Sequence, residues 1–240
     1  HCSLAKSAPM AQCKSRIRWV DAARAKEKKE IADILLMSII LPEFVKPIKS
    51  SNFNKSSVLP YGLSIKHIES AMKDFCEFIN FVNTELYQKS MPTFESMMMQ
   101  ANFSSTVGEF MNSTIPKYCS TLAKNRYHNG HPDLVPNGRF ENNSIQHSHE
   151  GIEIKASRYE KGWQGHNPES VWLMVFVFNS GRPMDVPGSI PFEFLAVYGA
   201  KLEEEDWQFA GRKEGSRRTI TASVKNTGYQ KMTENWIYRI

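Results

Sequence analysis

The chain has 240 residues, 41% of them hydrophobic and 11% aromatic, which is long and apolar enough for one large α/β domain. Its formal net charge is +5, from 30 Lys and Arg against 25 Asp and Glu, so a nucleic-acid partner is permitted but not required. The composition argues against a membrane span, because the most apolar candidate run, residues 34–41, is too short to cross a bilayer.

The four cysteines are scattered along the chain: Cys2, Cys13, Cys76 and Cys119. No two of them form a CxxC pair, so neither a zinc site built on cysteines nor a disulfide framework is indicated. We expect free thiols in a reducing cytoplasm.

Helical patterns predominate in the first half of the chain. Asp21 is placed to cap a helix that Pro42 ends, and residues 46–60 predict a loop. Ser64 then opens the clearest helix, whose apolar positions recur every three or four residues: Ile65, Ile68, Met72, Phe75, Ile79, Val82 and Leu86. This stripe predicts packing into the core, with a dimer seam as the alternative.

The other apolar residues of this half suggest further burial. Cys76, Phe78 and Phe81 lie off the main stripe and predict a second buried side of the same helix. Residues 97–99 are three consecutive methionines, which we expect to fill gaps in the core. Ser104 is placed to cap another helix, which Pro116 ends or kinks.

The segment 151–156 alternates apolar and charged residues, as expected of a β-strand. Ile152 and Ile154 then share the buried face, while Glu153 and Lys155 share the opposite one. Upstream, Asp133 precedes the turn signal Asn137-Gly138, so the chain extends, turns and returns as this strand. Such a unit brings Asp133 close to Glu153 and Lys155.

Three later segments complete the predicted sheet. Residues 171–178 are an unbroken apolar run typical of a strand buried on both faces, and residues 192–198 and 219–224 are further strands. The order of elements predicts an α/β fold with a mixed central β-sheet flanked by α-helices and a helical N-terminal half. We expect one domain, 1–240, with 1–101 mainly helical and 102–240 forming the α/β core.

Pro132-Asp133 and Glu153-Ile154-Lys155, with Asp133 and Glu153 20 residues apart, resemble the motif of the PD-(D/E)xK nuclease superfamily. The best populated branch of that superfamily is the type II restriction endonucleases. The resemblance covers the middle third of the chain and implies a restriction-endonuclease-like core. It also suggests Glu109, on the helix before the motif, as an extra acidic residue of the site, with a surface helix position as the alternative.

The residue types suit phosphodiester hydrolysis. The two carboxylates, Asp133 and Glu153, offer hard oxygen ligands to Mg²⁺, and such an ion activates water and stabilises developing charge. Lys155 is placed to hold the attacking water and to offset charge at phosphorus. The alternative is that Glu153 and Lys155 form a solvated strand face and that Asp133 is a turn residue.

The resemblance implies a Mg²⁺-dependent endonuclease that cuts double-stranded DNA to 5′-phosphate and 3′-hydroxyl ends. It implies a homodimer matching a two-fold DNA site and a restriction-modification role in the cytoplasm of a prokaryotic cell. Two alternatives stay open: a DNA repair or junction-resolving nuclease of the same fold, and a non-catalytic DNA-binding module.

Candidate DNA contacts come from two segments. Residues 211–231 hold six Lys or Arg and one acid, and we expect Arg212, Lys213, Arg217 and Arg218 to bind DNA. The alternative is a solvated hairpin that balances the acidic run 203–206. The polar loop after the motif strand offers three more candidates: Trp163, His166 and Asn167.

Three histidines surround the motif: His131, His147 and His149. We expect them to belong to a DNA-contacting or solvated loop, because no HExxH spacing supports a metal site. A zinc or manganese site is the alternative.

Overall fold

The computed structural model describes residues 24–29, 41–165, 167–186, 188–209 and 221–240. Residues 24–29 are helical, and Glu43–Ile240 forms one compact unit. Most of the helix predicted between Asp21 and Pro42 lies outside the described residues. Within them, no helix has both the length and the apolar character needed to span a bilayer.

A six-stranded mixed sheet forms the centre of this unit, and a three-stranded sheet lies beside it. Their strands are β1 Leu122–Lys124, β2 Leu134–Pro136, β3 Ile152–Ser157, β4 Gln164–Gly165, β5 Val171–Asn179, β6 Glu193–Leu202, β7 Trp207–Phe209, β8 Ala222–Val224 and β9 Trp236–Arg239. The large sheet has the order β1-β2-β3-β5-β6-β9, and the small antiparallel sheet has the order β4-β8-β7. Among the strands that the structure describes, β3 and β5 are the one parallel pair, so the predicted mixed central sheet is confirmed.

Helix α1, Ile65–Gln88, begins where the sequence predicts. The N–H of Ser64 donates to Nδ1 of His67 at 3.2 Å, which closes the first turn. The middle of the apolar stripe is fully buried, which confirms packing into the core. The predicted second buried side is wrong for Phe81, whose surface is 65% exposed, whereas Cys76 is buried.

Helix α2, Gln100–Tyr118, begins four residues before the predicted cap at Ser104. Burial of Phe103 against α1 and the sheet favours the earlier start, because the first turn then contributes to the core. Pro116 lies inside the last turn, and the helix ends two residues later. The predicted methionine filling is wrong for Met97 and Met99, which are exposed.

Each face of the large sheet is covered by a different layer. Helices α1 and α2 cover one face, with Met174 and Phe176 of β5 in that core. The small sheet and helix α3, Asn226–Glu234, belong to the core on the other face, with Leu173 and Val175. Strand β5 is therefore buried on both faces, as predicted.

Both described cysteines, Cys76 and Cys119, are buried free thiols, in agreement with the sequence prediction. Burial raises the pKa of the Cys76 thiol to about 12. Cys76 is therefore a neutral packing residue at physiological pH.

Candidate functional site

The edge of β3 stays open beyond its first residue, and this creates the site. Strand β2 pairs with β3 only between Leu134 and Ile152. Asp133 directly precedes β2, and its Oδ2 accepts a hydrogen bond from the N–H of Ile154 at 2.8 Å. The carboxylate therefore takes the place of a further strand partner and lies close to Glu153 and Lys155, as predicted.

Glu153 and Lys155 lie on the face of β3 opposite Ile152 and Ile154. In the parallel pairing, Glu153 stands beside Leu173 and Lys155 beside Val175. Glu153 is only 8% exposed, and its Oε1 accepts a hydrogen bond from Nζ of Lys155. The prediction that these two residues face away from Ile152 and Ile154 is confirmed, but the alternative of a solvated strand face is wrong for Glu153, which is buried.

The surroundings of these groups shift their protonation. Burial, together with the negative charge of Glu153, raises the pKa of Asp133 above its usual range. Burial alone would also raise the pKa of Glu153, but contacts with His131 and Lys155 lower it below its usual range. Burial acts to lower the pKa of Lys155, and the charges of Glu153 and Asp133 raise it instead. The site therefore holds one strongly ionised carboxylate beside one that readily takes a proton.

His131 joins this group from the loop before β2. Its Nδ1 lies 3.0 Å from Oε2 of Glu153, and its Nε2 lies 2.7 Å from Oε2 of Glu169. Burial acts to lower the pKa of His131, but the two carboxylates raise it to about 9. Burial acts to raise the pKa of Glu169, and His131 lowers it overall.

Sequence reasoning did not find Glu169. It lies two residues before β5, the parallel partner of β3, with Ser170 between it and Val171. The available signal was an acidic residue at the start of the apolar run. That signal becomes useful only when β5 is known to lie parallel to β3, since this pairing puts both strand beginnings side by side.

A cavity of about 980 Å³ opens beside these residues. One wall is helix α2, from Ser104 to Asn112, and another is the loop that leads from Lys124 to His131. Asp133, Glu153 and Lys155 line the same cavity. The three residues of the motif therefore meet in one space.

Glu109 also lines the cavity, but it is paired differently. Its Oε2 accepts a hydrogen bond from Nζ of Lys124 at 2.8 Å, and the pair is largely exposed. This places the predicted extra acid on the cavity wall, with Lys124 as its partner instead of Asp133 or Glu153.

The predicted DNA-contacting residues have different outcomes. Trp163 is only 4% exposed, lies against Tyr198 and Tyr229, and donates Nε1–H to the carbonyl of Tyr159. The structure therefore contradicts a DNA contact for this side chain, since its ring is part of the core. Asn167 is exposed, as a DNA contact requires. The remaining candidates lie outside the described residues: His166, Arg212, Lys213, Arg217 and Arg218.

Two of the three histidines suggested as a metal site come together. His131, His147 and Glu169 each offer a ligand atom, and these atoms all lie within 4.8 Å of one another. His149 is not in this group; its Nδ1 lies 3.1 Å from the carbonyl oxygen of Ser170.

Comparison with known proteins finds no matching family model, no matching curated protein and no matching solved structure.

Proposed function

We propose that this protein is a Mg²⁺-dependent endonuclease of double-stranded DNA with a restriction-endonuclease-like core, similar to type II restriction enzymes. One observation carries the proposal: Asp133, Glu153 and Lys155 meet on the wall of one cavity. Glu153 and Lys155 follow Asp133 in the chain by 20 and 22 residues. The three groups are those that metal-assisted phosphodiester hydrolysis needs.

The donor set fits Mg²⁺. Two adjacent carboxylates supply hard oxygen ligands, and Mg²⁺ in proteins is commonly held by one or two carboxylates with water and phosphate oxygens completing the shell. Burial, and after it repulsion from Glu153, raises the pKa of Asp133, and a divalent cation relieves that repulsion. When bound, such an ion lowers the pKa of its water and stabilises charge on phosphate.

The chain's own residues then have distinct roles. Lys155 keeps its proton, because its pKa is raised, and its ammonium contacts Glu153 beside the cavity. A charged ammonium in this position orients the attacking water and offsets the charge that develops on phosphate oxygens. His131 holds Glu153 from the other side, so that carboxylate is fixed between two cationic partners.

The test is digestion of a sequenced plasmid with Mg²⁺, followed by mapping of the ends. We expect discrete fragments with 5′-phosphate and 3′-hydroxyl ends. Asp133→Asn should reduce cleavage by at least about 100-fold, because the metal loses a charged ligand, while DNA binding persists. The matched control is Glu150→Gln, which removes an exposed carboxylate that pairs with Arg139 away from the cavity.

Each alternative has its own outcome. Metal-dependent cleavage without a discrete fragment pattern favours the repair or junction-resolving nuclease. DNA binding without any cleavage favours the non-catalytic module. If Asp133→Asn cuts as fast as the unmodified protein, the assignment of the site is wrong.

A further inference from the structure

His131 and His147 are held side by side by the backbone. The N–H of His131 donates to the carbonyl of Gln146 at 3.0 Å, and the N–H of Ser148 donates to the carbonyl of His131 at 2.9 Å. The two imidazole rings stack with their centroids 5.4 Å apart. Their relative position is therefore set by main-chain pairing across two segments of the chain.

Glu169 approaches the same two rings from a third segment. Its backbone carbonyl accepts a hydrogen bond from Nε1 of Trp207 at 2.9 Å, and Trp207 is buried. Its two carboxylate oxygens lie 2.7 Å from Nε2 of His131 and 4.0 Å from Nε2 of His147. Three separate segments thus direct two nitrogens and a carboxylate at one point.

The two ring nitrogens of His131 have different surroundings. Nδ1 faces Oε2 of Glu153 at 3.0 Å, whereas Nε2 is buried and makes no well-directed hydrogen bond, although Glu169 lies close to it. A histidine that binds a metal through one nitrogen usually donates the other N–H to a carboxylate, which orients the ring and fixes its tautomer. Glu153 is placed to do this for His131.

We propose that His131, His147 and Glu169 bind a transition-metal ion of the zinc class, at a site distinct from the Asp133 and Glu153 carboxylates. Imidazole nitrogens with one carboxylate suit Zn²⁺, whereas Mg²⁺ prefers oxygen ligands alone. Ligands at zinc bond lengths in a tetrahedral arrangement lie roughly 3.3 Å apart, a separation bracketed by the two Glu169 contacts.

The position of the site gives it an entry path and a link to the cavity. The side chain of His147 is 51% exposed, so an ion can enter from solvent and keep an open coordination position. Glu153 contacts both His131 and Lys155, so an ion held by His131 also orients the carboxylate that faces the cavity. The site itself does not depend on the proposed nuclease activity.

The test uses Co²⁺ as a visible probe of the zinc-class site in the full-length, metal-free protein. We expect absorption that saturates at about one equivalent per chain, is displaced by Zn²⁺ and is unaffected by millimolar Mg²⁺. His147→Gln and Glu169→Gln should each weaken Co²⁺ binding by more than about 100-fold, since each removes a ligand. The matched control is His149→Gln, whose ring is a neighbour of His147 but lies outside the group and should leave binding unchanged.

Asp133→Asn provides the second control, because it removes a carboxylate of the cavity and should leave Co²⁺ binding intact. Circular dichroism shows whether each variant is folded, and His147 is exposed enough that its replacement should not disturb the fold. The proposal would be overturned if Co²⁺ absorption failed to saturate, or if both His147→Gln and Glu169→Gln bound Co²⁺ as tightly as the unmodified protein. An equal loss of Co²⁺ binding in His149→Gln or Asp133→Asn would also overturn it. Loss of cleavage with intact Co²⁺ binding bears only on the nuclease function.

Discussion

Two carboxylates lie side by side at the edge of β3, and their surroundings push their pKa values in opposite directions. Burial and the neighbouring charge raise the pKa of Asp133, whereas His131 and Lys155 outweigh burial and lower that of Glu153. Such divergence is common where a site is organised for proton transfer or metal binding. Both carboxylates are also largely buried, so an Ala substitution would leave their hydrogen-bond partners unpaired. Mutational tests of Asp133 and Glu153 therefore need conservative replacements.

We predict that Lys155→Ala loses cleavage while divalent-metal binding weakens less than in Asp133→Asn. Lys155 supplies no metal ligand, and its removal takes a positive charge away from the carboxylates. Calorimetric titration with Ca²⁺ measures affinity without cleavage. Lys124→Ala, which removes the cavity-wall lysine that pairs with Glu109, is the control. Equal loss of Ca²⁺ affinity in Lys155→Ala and Asp133→Asn would contradict this division of roles.

We predict that His131 makes the stability of the metal-free protein depend on pH. Its pKa is raised from 6.5 to about 9 in the folded state, so the protonated ring favours folding. This stability is fully present below about pH 6.5 and is lost as the pH rises through about 9. Urea unfolding with EDTA should therefore show a larger loss for His131→Gln at pH 6 than at pH 10.

His128→Gln is the control for this measurement, because it replaces an exposed histidine of the cavity wall. Its effect on the free energy of unfolding should be small at both pH values. A loss in His131→Gln that is the same at pH 6 and pH 10 would show that the ring acts through packing alone.

The junction between β2 and β3 determines where the site forms. Gly151 directly precedes β3 with a φ of +146°, and an added Cβ would overlap the carbonyl oxygen of Leu134 and the ring of Pro132. This close approach holds the start of β3 against the end of the segment that carries Asp133. The geometry of the site therefore depends on a position with no side chain.

We predict that Gly151→Ala both destabilises the protein and reduces cleavage. The matched control is Gly138→Ala, which also replaces a glycine with positive φ, +77°, but has open space around the added Cβ. The control should cost about 1 kcal/mol from backbone strain, and Gly151→Ala should cost roughly 1–3 kcal/mol more from the overlap. Urea unfolding measures the loss of stability in both variants. Equal losses of stability would show that the close approach at Gly151 is unimportant.

The unit Glu43–Ile240 has a large sheet with packed layers on both faces, and the cavity lies beside the unpaired part of β3. The net charge of the chain is mildly positive, and a large share of that charge lies in residues 211–231. DNA near the cavity would need such charge to neutralise phosphates, because Asp133, Glu153 and Glu169 make the site itself rich in acid.

We predict that Arg217→Ala or Arg218→Ala lowers the slope of log affinity against log salt by about one unit for each phosphate that the variant no longer neutralises. If one of them reads a base, its removal should instead cost about 1–3 kcal/mol on a cognate duplex and little on random DNA. Lys73→Ala, on the exposed surface of α1, is the control and should leave the slope unchanged. Unchanged affinity and slope in both arginine variants would leave this segment as a solvated hairpin.

Local sequence determined the elements whose pattern repeats within a few residues. The stripe of α1, the apolar run of β5 and the alternation of β3 each follow from a period of 3.6 or 2, which neighbouring residues set by themselves. The approach of Asp133 to Glu153 and Lys155 also followed from the sequence, because a short returning unit connects them.

Only the tertiary structure decided which surfaces are covered and which distant residues meet. His131 and Lys155 contact Glu153 and bury it, and the small sheet and α3 make Trp163 a core residue despite its polar neighbours. Glu169 reaches His131 because β3 and β5 pair in parallel. These two residues lie far apart in sequence and have no shared local period, so strand pairing and packing, rather than pattern, bring them together.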